Sequence, residues 1–174
     1  MLQYLEVILI VILLPTLWLI ISYNLLVRDK NRVLTAWSDI DVQLKRRHDL
    51  IPKLIDAVKH YAEYESATMT RVTELRSQSE AISNIAEKGR LETELGSMIT
   101  NLFALAEDYP ELKANQSYLD LQNNLTEVEN HLQYARRYYN GAVRNLNVRI
   151  ESFPDMFIAQ LFGFQQAEFF QFEP

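Results

Sequence analysis

The apolar residues in the last third of the chain recur at alternating intervals of three and four positions. They form a seam that runs for five heptads without a slip, through Tyr118, Leu121, Leu125, Val128, Leu132, Ala135, Tyr139, Ala142, Leu146, Ile150 and Phe153. A seam with this period predicts a long helix packed in a left-handed bundle or coiled coil. The 36 residues involved correspond to a helix of about 54 Å.

A second seam lies earlier in the chain, with His48 filling one apolar position. Its members are Val33, Trp37, Ile40, Leu44, His48, Ile51, Leu54, Val58, Ala62, Met69, Val72 and then Ile82. Pro52 interrupts it, so either the helix kinks there or Asp49 caps a new helix. We favour a kinked continuation, because the apolar register passes through the proline without a phase shift. Leu26 and Val27 keep the same spacing before the seam, which predicts one continuous rod.

The segments between the two seams contain the expected helix ends. We expect Lys88-Gly89 to stop one helix, followed by a shorter amphipathic stretch whose apolar positions are Leu91, Leu95, Met98, Leu102, Leu105 and Ala106. Pro110 disfavours helix at Tyr109 and ends that stretch. Residues 112–115 then form a connection, and Asn115 or Ser117 caps the last helix. The fold is predicted to be all-α, a long antiparallel bundle of three to four helices.

Twenty-one residues without a charge, Val7 to Val27, precede the bundle. As a helix they span about 30 Å, which matches the hydrocarbon core of a bilayer. A cleaved signal peptide would need a basic segment before the run and a small-x-small site after it. Glu6 precedes the run, and no such site follows it. We therefore expect an N-terminal transmembrane anchor, within which Pro15 can be tolerated.

The charges that flank the anchor predict its orientation. Arg28, Lys30 and Arg32 follow it, whereas its N-terminal flank has no Lys or Arg. By the positive-inside rule the bundle is expected in the cytoplasm and a short N-terminus outside. The predicted domains are an anchor at 1–27, a helical bundle at 28–153 and an aromatic tail at 154–174.

The tail is set apart by its aromatic residues, since seven of the eight phenylalanines lie from Phe153 onward. One interpretation is that Phe157, Leu161, Phe162 and Phe164 fold back on the bundle, because exposed apolar patches are rarely tolerated. The tail could instead lie in the membrane interface or dock on a neighbouring subunit. It has no Lys or Arg, which argues against attachment to anionic lipid.

Composition excludes several classes of function. The chain has no cysteine, which excludes disulfides, thiolate metal sites and cysteine nucleophiles. Its net charge of −6 argues against a general nucleic-acid binder, which would carry a basic face.

A search for catalytic motifs identifies no catalytic, cofactor-binding or metal-ligating residue. A di-iron site in a bundle needs Glu-x-x-His on two helices, but no Glu stands three residues before His48, His60 or His131. Zinc-binding His-Glu-x-x-His and phosphate-binding loop motifs are also absent from the sequence. Glu127 and His131 are spaced i, i+4, which is typical of a solvated contact on one helix face.

Charged residues inside or beside the seams are the remaining anomaly. Lys45-Arg46-Arg47 is expected to form a solvated face or ion pairs between helices rather than a lipid-phosphate site. Asp41 is expected to pair across the bundle with Arg136 or Arg144 and to set the helix register, because buried polar groups must be paired.

The stretch Ala36 to Arg47, followed by Asp49-Leu50-Ile51-Pro52, resembles the signature of the LemA family of bacterial membrane proteins. Further matches are Tyr23-Asn24, Tyr109 to Asn115, Glu129-Asn130, Ala135-Arg136, Tyr139-Asn140, Asn147, Phe153-Pro154, Ala159 and Phe162-Gly163-Phe164. Lys53 stands where the family is expected to have Asn.

The resemblance implies a single-pass protein of the bacterial inner membrane with an N-terminal anchor, a mainly four-helix bundle and no enzymatic activity. One branch of the family is associated with magnetosome membranes. Because the sequence offers apolar surface in its aromatic tail and no convincing pocket of convergent polar groups, we expect a non-enzymatic scaffold without cofactors that contacts the bilayer through Val7 to Val27. It is expected to be a homo-oligomer, joined through the membrane-proximal rod and the tail, that holds unidentified membrane or cytoplasmic proteins. The alternative is a membrane-tethered sensor or enzyme that uses polar groups inside the bundle.

Overall fold

The computed structural model describes residues 2–61 and 66–170, without the side chains of residues 2, 3 and 5–8. The described residues form helices and contain no strand, which confirms the predicted all-α class. The helices are α1 (Leu2–Lys59), α2 (Ser66–Ala81), α3 (Ile85–Ala106), α4 (Pro110–Lys113), α5 (Gln116–Glu151) and α6 (Asp155–Leu161).

Helix α1 is continuous through both of its prolines, so the predicted rod is confirmed. The helix passes through Pro52, whose side chain is exposed, and Asp49 does not begin a new helix. The second seam does not continue as one helix, because α1 ends at Lys59 and the positions from Met69 onward belong to α2. Ala62 lies outside the described residues.

The predicted helix stop at Lys88-Gly89 is wrong. Gly89 is buried within α3, and the chain breaks earlier, at residues 82–84. Asn84 begins α3 because its side chain accepts a 2.8 Å hydrogen bond from the Glu87 backbone N–H. A capping side chain of this type satisfies a donor that the first helical turn leaves without a partner.

The connection before α5 contains one short helix that the sequence did not predict. Pro110 stands in the first turn of α4, where its missing N–H costs nothing. Of the two candidate caps for α5, the structure selects Asn115, which accepts a hydrogen bond from the Tyr118 N–H at 3.3 Å. The α5 seam is buried or half-buried except at Phe153, which lies beyond the helix and is 78% exposed.

The chain divides into two compact units, residues 37–139 with 168–174 and residues 1–36 with 140–167. In the first, which we call the distal unit, α1, α2, α3, α4 and α5 contribute to one apolar core. That core includes Ile51, Leu54, Val58, Val72, Leu75, Leu95, Leu102, Leu112, Tyr118 and Leu125. Four long helices surrounding one core confirm the predicted helical bundle.

The second, which we call the anchor unit, is built from the first part of α1, the last part of α5 and α6. Its buried apolar residues are Leu26, Val33, Ala36, Ala142, Val143, Leu146, Ile158 and Ala159. The chain after α6 is fixed by Asn147, whose side-chain amide donates to the Ala167 carbonyl at 3.0 Å and accepts from the Ala167 N–H at 2.9 Å.

Helix α1 also contains a segment long and apolar enough to cross a membrane, with a mean hydropathy of 2.2 over its most apolar 18 residues. Residues Leu9 to Ile21 are exposed, apart from the half-buried Trp18 and Leu19. Ser22 is the first buried residue that follows.

Candidate functional site

A cluster of charged side chains lies buried in the distal unit, centred on Glu92 of α3. The side chain of Glu92 is fully buried. Its carboxylate is 2.7 Å from His48 Nε2 and 3.1 Å from Arg47 Nη1, and it accepts a further hydrogen bond from the Ser79 hydroxyl. Because an ionised carboxylate only accepts, His48 Nε2 carries the proton of the hydrogen bond that joins them.

Arg47 connects this carboxylate to a second one. Its Nη1 also donates to the Glu92 backbone carbonyl at 3.1 Å, and its Nη2 forms an ion pair with Glu129 of α5. The Arg47 side chain is only 3% exposed. The cluster therefore ties α1, α2, α3 and α5 together at one level of the bundle.

The surroundings keep Glu92 ionised. Burial alone would raise the pKa of this carboxyl, but the hydrogen bonds from His48 and Ser79 and the charge of Arg47 together hold it below its ordinary value. Burial lowers the pKa of Arg47, yet a guanidinium stays protonated at any physiological pH. The pair is therefore a buried salt bridge, with His48 and Ser79 as additional donors.

A polar groove of about 440 Å³ runs beside this salt bridge. It is lined largely by hydroxyl, amide and charged side chains from α3 and α5, including Thr93, Ser97, Thr100, Thr126, Glu129, Asn130, Gln133 and Arg136. The guanidinium of Arg136 lies over the buried ring of Phe170, 5.4 Å from its centre. The charges at the edge of the groove are thus held by groups of the protein itself.

The anchor unit contains a second cluster, which is only partly buried and is centred on Arg149 of α5. Its Nε lies 2.7 Å from the buried Asp29 of α1, and its Nη1 lies 3.1 Å from Asp155 of α6. Asp155 also accepts a 2.5 Å hydrogen bond from the Ser22 hydroxyl. The hydrogen bond to Asp29, together with that to Asp155, raises the pKa of Arg149.

The predicted pairing of Asp41 is wrong, because Asp41 and Arg144 are both exposed and Arg136 lies against Phe170. The buried cation is instead Arg47, nearly two turns further along α1.

Of the basic run, Lys45 and Arg46 are exposed whereas Arg47 forms ion pairs between helices. Glu127 and His131 lie 3.4 Å apart with both side chains more than half exposed, which confirms the contact on one helix face.

Sequence reasoning missed Glu92 and Ser79, although a signal was present. The residues Glu92, Leu95, Ile99, Leu102 and Ala106 form their own run at alternating three and four, and all are buried. Ser79 likewise continues the buried positions Val72 and Leu75 of α2. A charged residue at a core position is the feature that would have identified the cluster.

Within residues 2–61 and 66–170, no group of three or more His, Asp and Glu side chains could hold a metal ion.

Comparison with known proteins shows to which family a chain with this architecture belongs. A family model described as the LemA family matches residues 36–174. The chain belongs to the LemA family. Protein LemA of Metamycoplasma hominis is 30% identical over 152 residues, which cover 85% of this LemA-family chain and 68% of the relative.

Other relatives of this LemA-family chain carry a more specific name. Magnetosome protein MamQ 2 of Paramagnetospirillum magneticum is 23% identical over 182 aligned positions, covering 90% of this chain and 67% of the relative. Magnetosome protein MamQ of Magnetospirillum gryphiswaldense is 21% identical with the same coverage. The region matched by the family model includes Arg47, His48, Ser79, Glu92 and Glu129, the residues of the first cluster.

Proposed function

We propose that this protein is a non-enzymatic, membrane-anchored helical scaffold that self-associates and holds partner proteins at the bacterial membrane. The observation that carries the proposal is the state of its buried charges. Glu92 accepts from three different side chains, and Arg47 is shared between two carboxylates. These groups bind one another, which suits a device that holds four helices in register.

Acid-base catalysis would require a different electrostatic arrangement. A general acid or base works best when its pKa lies near the working pH, so a catalytic Glu has its pKa raised. The pKa of Glu92 is shifted in the opposite direction. The names of the relatives, LemA and magnetosome protein MamQ, also state no reaction.

The alternative, a membrane-tethered sensor or enzyme, has one observation in its favour, the polar groove of about 440 Å³ beside Arg47. That volume falls within the range of small-molecule sites. Such sites, however, are lined mostly by apolar side chains with a few polar groups aimed at the ligand. Polar residues outnumber apolar ones around this groove, and the charges at its edge have protein partners.

The surface that we assign to self-association lies on the distal unit. The residues of the seam from Trp37 to Leu44 face inward, since Ile40 and Leu44 are buried and Trp37 packs on Tyr139. Exposed instead are Val42 at 56%, Tyr134 at 66% and Tyr138 at 57%. These three line one shallow depression, which we call the tyrosine patch. Aromatic side chains of this kind dominate the centres of protein interfaces.

We expect substitution of the tyrosine patch to reduce the number of copies in each assembly. Confinement of anchored molecules to a plane raises their local concentration, so even a modest contact gives oligomers. Single-molecule photobleaching of labelled full-length protein in native membrane patches should show several bleaching steps per particle. The triple variant Val42→Ser/Tyr134→Ser/Tyr138→Ser should show mostly one step.

The matched control for that variant replaces three exposed residues elsewhere on the same two helices, as Lys53→Ser/Asn123→Ser/Asn124→Ser. It should bleach like the unaltered protein. Self-association would be refuted if the unaltered protein showed a single bleaching step per particle and deletion of residues 154–174 left that number at one. Crosslinking with mass spectrometry in mild detergent would then decide whether the tyrosine patch holds another protein.

The bundle is proposed to face the cytoplasm, with α1 anchoring it in the bacterial inner membrane. The supporting observation is that Arg28, Lys30 and Arg32, at the C-terminal flank of the apolar segment, are exposed. An alkaline phosphatase reporter fused after the last residue should therefore be inactive, because this enzyme requires export. A green fluorescent protein fused at the same position should be bright. Strong phosphatase activity would show that the assigned orientation is wrong and that the bundle lies outside the cytoplasm.

A further inference from the structure

An exposed apolar surface surrounds α6 in the anchor unit. Phe153 is 78% exposed, Phe157 53%, Leu161 72% and Phe162 49%. Phe157 and Leu161 are spaced four residues apart on one face of α6, and the ring of Phe153, which precedes the helix, meets that of Phe157 edge to face at 6.0 Å. The opposite face of α6 packs inward through Ile158 and Ala159. We call the exposed set the α6 patch.

Polar contacts and ring contacts hold this short helix and the residues after it against α1 and α5. Asp155 accepts from Ser22 at 2.5 Å and from Arg149 at 3.1 Å. The ring of Tyr23 lies 4.8 Å from that of Phe162 and 5.9 Å from that of Phe164. The helix is therefore attached at Ser22 and Tyr23, immediately after the exposed apolar residues of α1.

The position of this attachment determines the depth of the patch. Ser22 lies five residues before Val27, the end of the uncharged run. At 1.5 Å per residue this places α6 about 7 to 8 Å inside the end of that run. Helices that lie in a membrane interface bury their apolar face about 5 to 10 Å deep. Tyr23 beside the patch is also a residue type enriched at membrane–water boundaries.

We infer that α6 is a second membrane-contacting element, whose patch of Phe153, Phe157, Leu161 and Phe162 enters the lipid interface beside the anchor. The inference rests on the membrane anchoring in the proposed function. Phe162 of the patch contacts Tyr23, two residues after the exposed surface of α1 from Leu9 to Ile21. That surface is apolar except for Thr16 and would meet lipid. Residues 153–174 contain no Lys or Arg, so the driving force is apolar burial and not attraction to anionic headgroups.

The absence of cysteine from the chain allows a direct measurement of depth. Single-cysteine variants of the full-length protein carry a nitroxide label in phosphatidylcholine nanodiscs with one copy per disc. Collision rates with oxygen, which partitions into lipid, and with a water-soluble nickel chelate then report the depth of each label. The test positions are Leu161→Cys and Phe157→Cys, the lipid reference is Leu13→Cys and the water reference is the exposed Asn145→Cys of α5.

We expect the labels at Leu161 and Phe157 to collide mainly with oxygen, at a depth of about 5 to 10 Å. The value should not change when salt is raised, and Asn145 should collide mainly with nickel. Labels at Leu161 and Phe157 that are as accessible to nickel as the label at Asn145, with Leu13 in lipid, would overturn the inference. The inference would also be overturned if the labels became shielded only in discs that hold two copies and then broadened each other's spectra. In that case a second copy of the protein, and not lipid, would cover the α6 patch.

The outcome at Leu13 separates this inference from the proposed function. A label at Leu13 that is accessible to nickel would show that α1 does not cross the bilayer, and both proposals would fall. Melting temperatures of the labelled variants should match that of the unaltered protein, because the replaced side chains are all exposed. Two independent test positions ensure that damage to the fold at one of them does not determine the result.

Discussion

Replacing Glu92 by Gln should lower the free energy of unfolding by about 3 to 5 kcal/mol, the range measured when one partner of a buried ion pair is removed. The amide keeps the shape of the side chain and can still bond to Ser79. It leaves Arg47, whose side chain is 3% exposed, with Glu129 as its one carboxylate in the cluster. Chemical denaturation of the full-length protein in detergent, followed by circular dichroism, measures the change.

The control for this substitution is Glu94→Gln, two residues away on α3. Glu94 lies 2.5 Å from Arg71, but both side chains are more than one third exposed. Pairs of this kind contribute at most about 1 kcal/mol. Comparable losses in the two variants would show that the buried cluster has no special role in stability.

A double replacement tests whether the loss comes from an unpaired charge. In Arg47→Met/Glu92→Met both charges of the buried salt bridge are gone, and Glu129, which is about one third exposed, can be hydrated. Apolar replacements of whole buried ion pairs are often neutral or stabilising. The double variant should therefore be more stable than Glu92→Gln.

Leu132→Ala is expected to cost about 2 to 5 kcal/mol, because truncation of a buried leucine removes apolar contacts and leaves a cavity. The side chain is fully buried in the distal unit, at the middle of the α5 seam. The same denaturation experiment applies, and the loss should appear as a lower midpoint with an unchanged slope.

Asn124→Ala provides the comparison for Leu132, since Asn124 is exposed on the same helix and lies off the seam. Its effect should stay within about 0.5 kcal/mol, as for most surface substitutions. Equal shifts in the two variants would contradict the heptad assignment of α5.

The long helices were predictable because apolar periodicity is a strong signal over many turns. The seam from Tyr118 to Ile150 became α5, and the register through Pro52 became the continuous α1. The break between α2 and α3 was misplaced because Gly89 was interpreted as a helix end, whereas a buried glycine can remain inside a helix. The capping side chain of Asn84 decides where α3 begins.

The buried charges were harder to predict, since pairing across the bundle depends on which residues of four helices lie at the same level. Asp41 and Arg47 stand six positions apart in one helix. Arg47 is the one that forms the buried ion pair because it lies at the same level of the bundle as Glu92.

The tail showed the same difficulty. Its aromatic content was evident, but Phe157 and Leu161 are exposed whereas Ile158, Ala159 and Phe170 are buried. Phe162 and Phe164 do fold back, but their rings contact Tyr23, which belongs to the predicted anchor and not to the predicted bundle.

The two hydrogen bonds between Asn147 and Ala167 have an evolutionary consequence. The amide of Asn147 pairs with the main chain of residue 167, and neither bond involves that residue's side chain. Point substitutions at position 167, other than to proline, can therefore accumulate without loss of the contact. Insertions or deletions between α6 and residue 167 would move the paired peptide group away from Asn147. Selection in this segment should therefore act on its length more strongly than on its composition.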